Sequence, residues 1–210
     1  MSRSGEPRLR SLSELVRLPR RSPLYPELAR ALAAADALHL LHSDLHPVPV
    51  RATATTSQSG CYRLREGDPI DLRVSRRHGR VAVSFLHELG HLVDHQLGHA
   101  LGPAWASGHD EAFGGWRDAA SRLAPRLPAG VGRSRRRYFH SVKEVWARSY
   151  AQAVLTHSTD LELQGHLAGL IDADDVFVWP TAAFAPVADE LVQVLGGLGL
   201  LRVQPGAAAA

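Results

Sequence analysis

The chain has 210 residues, 45% hydrophobic and 21% charged, which is length and apolar content enough for one domain with a substantial core. A formal net charge of +3 and a pI near 9.5 are modest for a nucleic-acid-coating protein, and a single cysteine excludes an internal disulfide framework. No apolar run is long enough to cross a bilayer, and no internal repeat, phosphate loop or zinc-finger spacing is present.

Residues 1–23 are rich in Arg, Ser and Pro and lack a continuous apolar stretch, so a flexible basic arm is expected there and not a secretory signal. Without a signal or paired cysteines the expected compartment is the cytoplasm, although export by a specialised secretion route fits the same sequence. Residues 24–203 are expected to form a single domain and residues 204–210 a disordered tail. Tyr25 to His42, alanine- and leucine-rich and followed by Pro47 and Pro49, reads as a packing helix. Val48 to Thr53, Gly60 to Leu64 and Ile70 to Val74 read as short strands, with Arg65-Glu66-Gly67-Asp68-Pro69 as turn chemistry between the last two. Cys61 in this stretch can be a buried structural residue or, less readily, a thiolate near a metal.

The most informative segment follows, SFLHELGHLVDH, with His87 and His91 four residues apart and Glu88 beside the first. At about 100° per residue the two imidazoles lie about 40° apart and one turn along the helix, where both reach one ion. Glu88, about 60° from His91, is offset so that it misses the ion but reaches a water bound to it, as a general base must. Phe85, Leu86, Leu89, Leu92, Val93 and Leu97 occupy the opposite arc and predict a core face. Asp94 lies about 20° from His87 on the wheel, placed either to orient a ligand histidine or to be paired structurally. His95 and His99 continue along the helix and read as surface residues.

A catalytic zinc needs a third protein ligand and leaves its fourth position open. Metzincins would have Gly at position 94 and His at position 97, where this chain has Asp94 and Leu97. The best downstream candidate is Glu144, at the start of a helical pattern through Val142, Val145, Trp146, Ser149, Ala153 and Val154. Arg148, on the same face as Glu144, can pair with a carboxylate or point toward substrate. Arg133, Arg135, Arg136 and Arg137 form a basic run just before this helix, read as a solvated loop or, less readily, as a contact for nucleic acid or an acidic protein. Ala182 to Leu195 reads as the last helix.

HELGHLVD followed about fifty residues later by KEVWARSYAQ resembles the gluzincin branch of zincin peptidases, closest to the small domains of phage, mobile-element and polymorphic-toxin proteins. It is more distantly similar to the catalytic domains of the anthrax lethal factor type. The likeness runs over about residues 45–195, and DADDVFVWPTAAFAPVADELVQVL resembles the closing segment of the phage-type domains. It implies an α+β, minimal zincin-like fold, with a small N-terminal sheet, an active-site helix and C-terminal helices. It also implies zinc held by His87, His91 and Glu144, Glu88 as base, and Tyr138 in the place of the tyrosine that precedes the ligand glutamate and bonds the oxyanion. The expected activity is a zinc metalloendopeptidase acting on a polypeptide substrate, with an edge strand aligning the peptide. The competing class is a non-catalytic zinc-binding regulatory or interaction module. No membrane partner is expected, the chain has no nucleic-acid-reading motif, and nothing in it sets an oligomeric state.

Overall fold

The computed structural model describes residues 8–102, 104–123, 127 and 130–202. It begins with three short elements that the sequence reading did not anticipate: β1 (Leu9–Arg10), α1 (Leu12–Leu15) and β2 (Val16–Arg17). Ser11 and Glu14 form a capping box on α1, and Asp36 accepts the Leu12 amide at 2.5 Å. Leu12, Leu15 and Val16 are buried in the main core. The expected arm over residues 1–23 is therefore corrected from residue 8 onward. Two leucines and a valine inside an Arg- and Ser-rich composition were enough to anchor the segment, and average composition hides such spaced anchors. Residues 1–7 and the expected tail over 204–210 lie outside the described residues.

Helix α2 (Tyr25–Leu38) ends earlier than the expected His42. The chain leaves the helix at His39 because the C-terminal segment docks there, Leu40 donating to the Leu200 carbonyl and Arg202 to that of Leu38. β3 (Leu41–His42) then pairs antiparallel with β1. His39 is fully buried, bridging the Tyr150 hydroxyl and the Leu40 carbonyl, and burial lowers its pKa to about 4. An unfolded chain takes up this proton near 6.5, so the unfolded state binds more protons as pH falls from 6.5 toward 4, and folding stability drops over that window. The expected loss is about 3 kcal/mol, from 1.36 kcal/mol per pKa unit. Urea denaturation of wild type and His39→Gln at pH 7 and pH 4 checks it: the pH-dependent loss should be smaller in the variant by that amount.

Strands β4 (Val48–Thr53), β5 (Gly60–Arg65) and β6 (Asp68–Ser75) lie close to their expected bounds. With β2 they form a sheet ordered β2-β4-β6-β5, parallel between β2, β4 and β6 and antiparallel in the β5–β6 hairpin. Glu66 and Gly67 turn the hairpin with positive φ at both positions, the backbone that a two-residue turn needs. β5 is thus one of the sheet's two edge strands among the described residues, and it lies beside the helix that carries the HELGH segment.

That helix, α3 (Val81–Leu101), is buried from Val81 to Gly98. The predicted apolar arc faces the core as expected, with Phe85, Leu86, Leu89, Leu92 and Val93 fully buried. α3 packs most closely on α7 (Val142–His157), the helix predicted around Glu144. Gly90 sets their approach: a Cβ there would stand 3.1 Å from the Ala147 Cα and 3.1 Å from the Tyr150 ring. Trp146 Nε1 donates to the Gly90 carbonyl at 3.1 Å, fixing the rotation of one helix on the other.

Between them run α4 (Ala106–His109), a 3-10 turn at Glu111–Phe113, α5 (Gly114–Ser121) and α6 (Arg133–Phe139). The arginine run is thus helical, correcting the loop reading. α8 (Leu161–Asp172) is a helix beyond those expected from the sequence: Asp160 caps it by accepting from Glu162 and Leu163, and Leu163 and Leu167 form its buried stripe. α9 (Thr181–Gly197) matches the last predicted helix. The architecture is mixed α and β with small sheets, and no helix among the described residues is long and apolar enough to cross a membrane.

Candidate metal centre

His87, Glu88 and His91 project from the middle of α3, and Glu144 from the first turn of α7, where the helix N-terminus favours a carboxylate. Close packing of the two helices at Gly90 brings them together. His87 Nε2 lies 3.2 Å from one Glu144 oxygen and His91 Nε2 3.3 Å from the other. The three donor atoms fall within 4.8 Å of one another, and all three residues are buried. Tetrahedral bonds of 2.0–2.1 Å place neighbouring ligand atoms about 3.3 Å apart, so the spacing suits a single ion.

The electrostatics agree. Burial opposes the charge of Glu144, yet hydrogen bonds from His87 and His91 outweigh it and hold the carboxyl far below its usual range. Burial likewise disfavours a charged His91, but its bond to Glu144 and the nearby Glu88 carry its pKa upward. The carboxylate and the two imidazoles thus define a place that favours positive charge. This cluster can hold a metal ion, and two imidazoles with a carboxylate form a donor set that zinc accepts.

Glu88 stands apart from the three donors. Burial raises its carboxyl pKa against the lowering effect of both histidines. It faces the start of β5, where a Cβ on Gly60 would lie 2.5 Å from Glu88 Oε1. A glycine at position 60 is what lets the edge strand come this close. Glu88, Glu144 and Tyr138 also line both of two adjoining cavities, of about 500 and 300 Å³, so the cluster opens onto a cleft on either side. Tyr138 is exposed at the rim, and burial of its hydroxyl end next to Glu144 holds the phenol protonated, well above its ordinary pKa.

Two other expectations change. Asp94 is fully buried, but its oxygens accept from the Ser107 amide at 2.7 Å and hydroxyl at 2.6 Å, tying α4 to α3. His87 Nδ1 and His91 Nδ1 are buried without a hydrogen-bond partner among the described residues, so Asp94 does not orient a ligand histidine. Wheel position alone could not foresee that α4 would claim it. Arg148, also buried, makes no ion pair with Glu144. Its guanidinium donates to the carbonyls of Phe139 at 2.5 Å and of Glu144 at 3.2 Å, and lies over the Trp179 ring at 4.9 Å. It links α6, α7 and the segment before α9 while bordering the cleft.

His95, expected at the surface, is buried and hydrogen-bonded to the Tyr62 hydroxyl at 2.9 Å, whereas His99 is exposed. Cys61 is half-buried, outside the donor group, and its thiol is pushed up by burial. The sequence reading did not single out Trp105, 6.1 Å from the His91 ring, or Phe177, 5.9 Å from that of His87. Only Phe177 carried a signal, lying in the acidic and aromatic stretch before the last helix. Compared with family models, curated proteins and solved structures, the chain has no match.

Proposed function

We propose that the protein is a zinc metallopeptidase of gluzincin type, a single zincin-like domain hydrolysing peptide bonds. The observation that carries this reading is the convergence of His87, His91 and Glu144 within 4.8 Å, with Glu88 beside them at the junction of an open cleft. When bound, zinc would supply Lewis acidity, polarising the scissile carbonyl and making water acidic enough to be deprotonated near neutral pH.

The chain's own residues do the rest. Glu88 takes the proton from the attacking water and returns it to the leaving amine. Tyr138, kept protonated, donates a hydrogen bond to the oxyanion. The free edge of β5 offers backbone groups to an extended peptide, aligning the scissile bond against Glu88 at Gly60.

Zinc analysis together with cleavage of a proteome-derived peptide library, with and without chelator, tests the reading. About one zinc per chain, with cleavage lost on chelation and restored by zinc, is the expected result. One zinc with no polypeptide cleaved would instead favour a binding or regulatory module. Gly60→Ala gives a sharper local check. Its Cβ would overlap the Glu88 carboxylate, so kcat/KM should fall by at least about tenfold while zinc content is unchanged, since a misplaced general base forfeits part of its 10²–10⁴-fold contribution. Unchanged cleavage in this variant would argue against Glu88 as base.

A further inference from the structure

The two halves of the cleft differ in charge. On one side of Glu88 the wall carries Trp105, Tyr62, Leu64 and, as its one cation among the described residues, Lys143, which sits over the Trp105 ring at 4.4 Å. On the other side stand Arg80, Arg135, Arg148 and His78, and among the described residues the acids in the wall are Glu88 and Glu144 of the centre itself.

The three arginines differ in how their charge is used. Arg80 is paired with Asp175 and lies over Phe177 at 4.8 Å, which fixes it against the rim. Arg148 is buried, and among the described residues its hydrogen-bond acceptors are carbonyl oxygens and no carboxylate. Arg135 is exposed on α6 and rests over the Phe139 ring at 5.8 Å. The Nε2 of His78 is buried with no hydrogen-bond partner among the described residues. A cavity of about 500 Å³ with this lining has room for a side chain and donors that lack an acid to meet them.

We infer that this half of the cleft receives an acidic side chain of the substrate, an Asp or Glu close to the scissile bond. The inference rests on the peptidase reading for the nature of the substrate. Its polarity follows from β5: Gly60 is at the arginine end of the strand and Leu64 at the aromatic end. A peptide pairing antiparallel with β5, as β6 does on the opposite edge, enters the arginine half with its C-terminal side. The acidic residue therefore follows the scissile bond, and Arg135 is the specificity-determining residue most open to it.

Binding and cleavage separate the inference from the reading beneath it. Fluorescein-labelled peptides of equal length, acidic, alanine-based or basic at the positions after the scissile bond, are titrated by anisotropy into the zinc-loaded Glu88→Gln protein. The acidic peptide should bind about tenfold more tightly than the alanine peptide, as expected for a charge pair in a partly desolvated cleft. Arg135→Glu should reduce that preference to about threefold or less, while Arg136→Glu, which does not border the cavity, should keep it. Equal binding of acidic and alanine peptides, or a preference untouched by Arg135→Glu, overturns the inference. Acid-selective binding with no cleavage by wild type upholds the acidic subsite and removes the peptidase reading. Cleavage without acidic preference does the opposite.

Discussion

Glu144→Ala is expected to lower zinc affinity by about 10³-fold. Structural zinc sites bind with apparent free energies of about 10–16 kcal/mol, so one ligand of three is worth about 4 kcal/mol, and each 1.4 kcal/mol is tenfold. Glu144 is also the group that meets both imidazoles, through separate oxygens at 3.2 and 3.3 Å. Its loss leaves two buried histidines without the one carboxylate that contacts both. Competition with a chromophoric chelator reads the affinity directly. A second readout is thermal: an ion that binds only the native state raises the melting temperature of wild type, and that rise should vanish in the variant. Wild-type affinity in Glu144→Ala would mean that the third ligand lies elsewhere.

Glu88→Gln is expected to separate chemistry from metal. The amide preserves shape and hydrogen bonding but cannot take a proton, so turnover on any cleaved peptide should fall by about 10³-fold, within the range ascribed to a positioned general base. Zinc content should stay at the wild-type level, because Glu88 is not one of the three converging donors. Measured side by side, the two substitutions give opposite patterns: Glu144→Ala loses metal and with it activity, Glu88→Gln loses activity alone. If Glu88→Gln cleaved peptides at the wild-type rate, the proposed mechanism would be wrong even with zinc in place. If it lost zinc as well, Glu88 would belong to the ligand set.

The candidate donors were legible in the sequence because they depend on helix geometry. Four-residue spacing places His87 and His91 on one face whatever surrounds them, and the adjoining apolar arc marks the side that packs. The same local logic located β4, β5, β6, α3, α7 and α9, each long enough for its hydrophobic period to show. Where a segment was short or its pattern diluted, the reading failed. The N-terminal segment hid two buried leucines among arginines, and the α6 basic run showed no apolar stripe. In α8 the signal is confined to Asp160 ahead of Leu163 and Leu167.

By itself, then, the sequence located the two helices and named the candidate donors, His87 and His91 through a period of 3.6 residues and Glu144 through a resemblance. Only the tertiary structure decided that Glu144 meets His87 and His91, because that meeting depends on Gly90 letting α7 approach α3 across more than fifty residues of chain. It also decided that Asp94 is spent on Ser107, that Arg148 is spent on backbone carbonyls, and that Arg135 borders the cleft. Such assignments turn on which groups compete for a partner at about 3 Å, and that competition is settled only when distant segments are packed together.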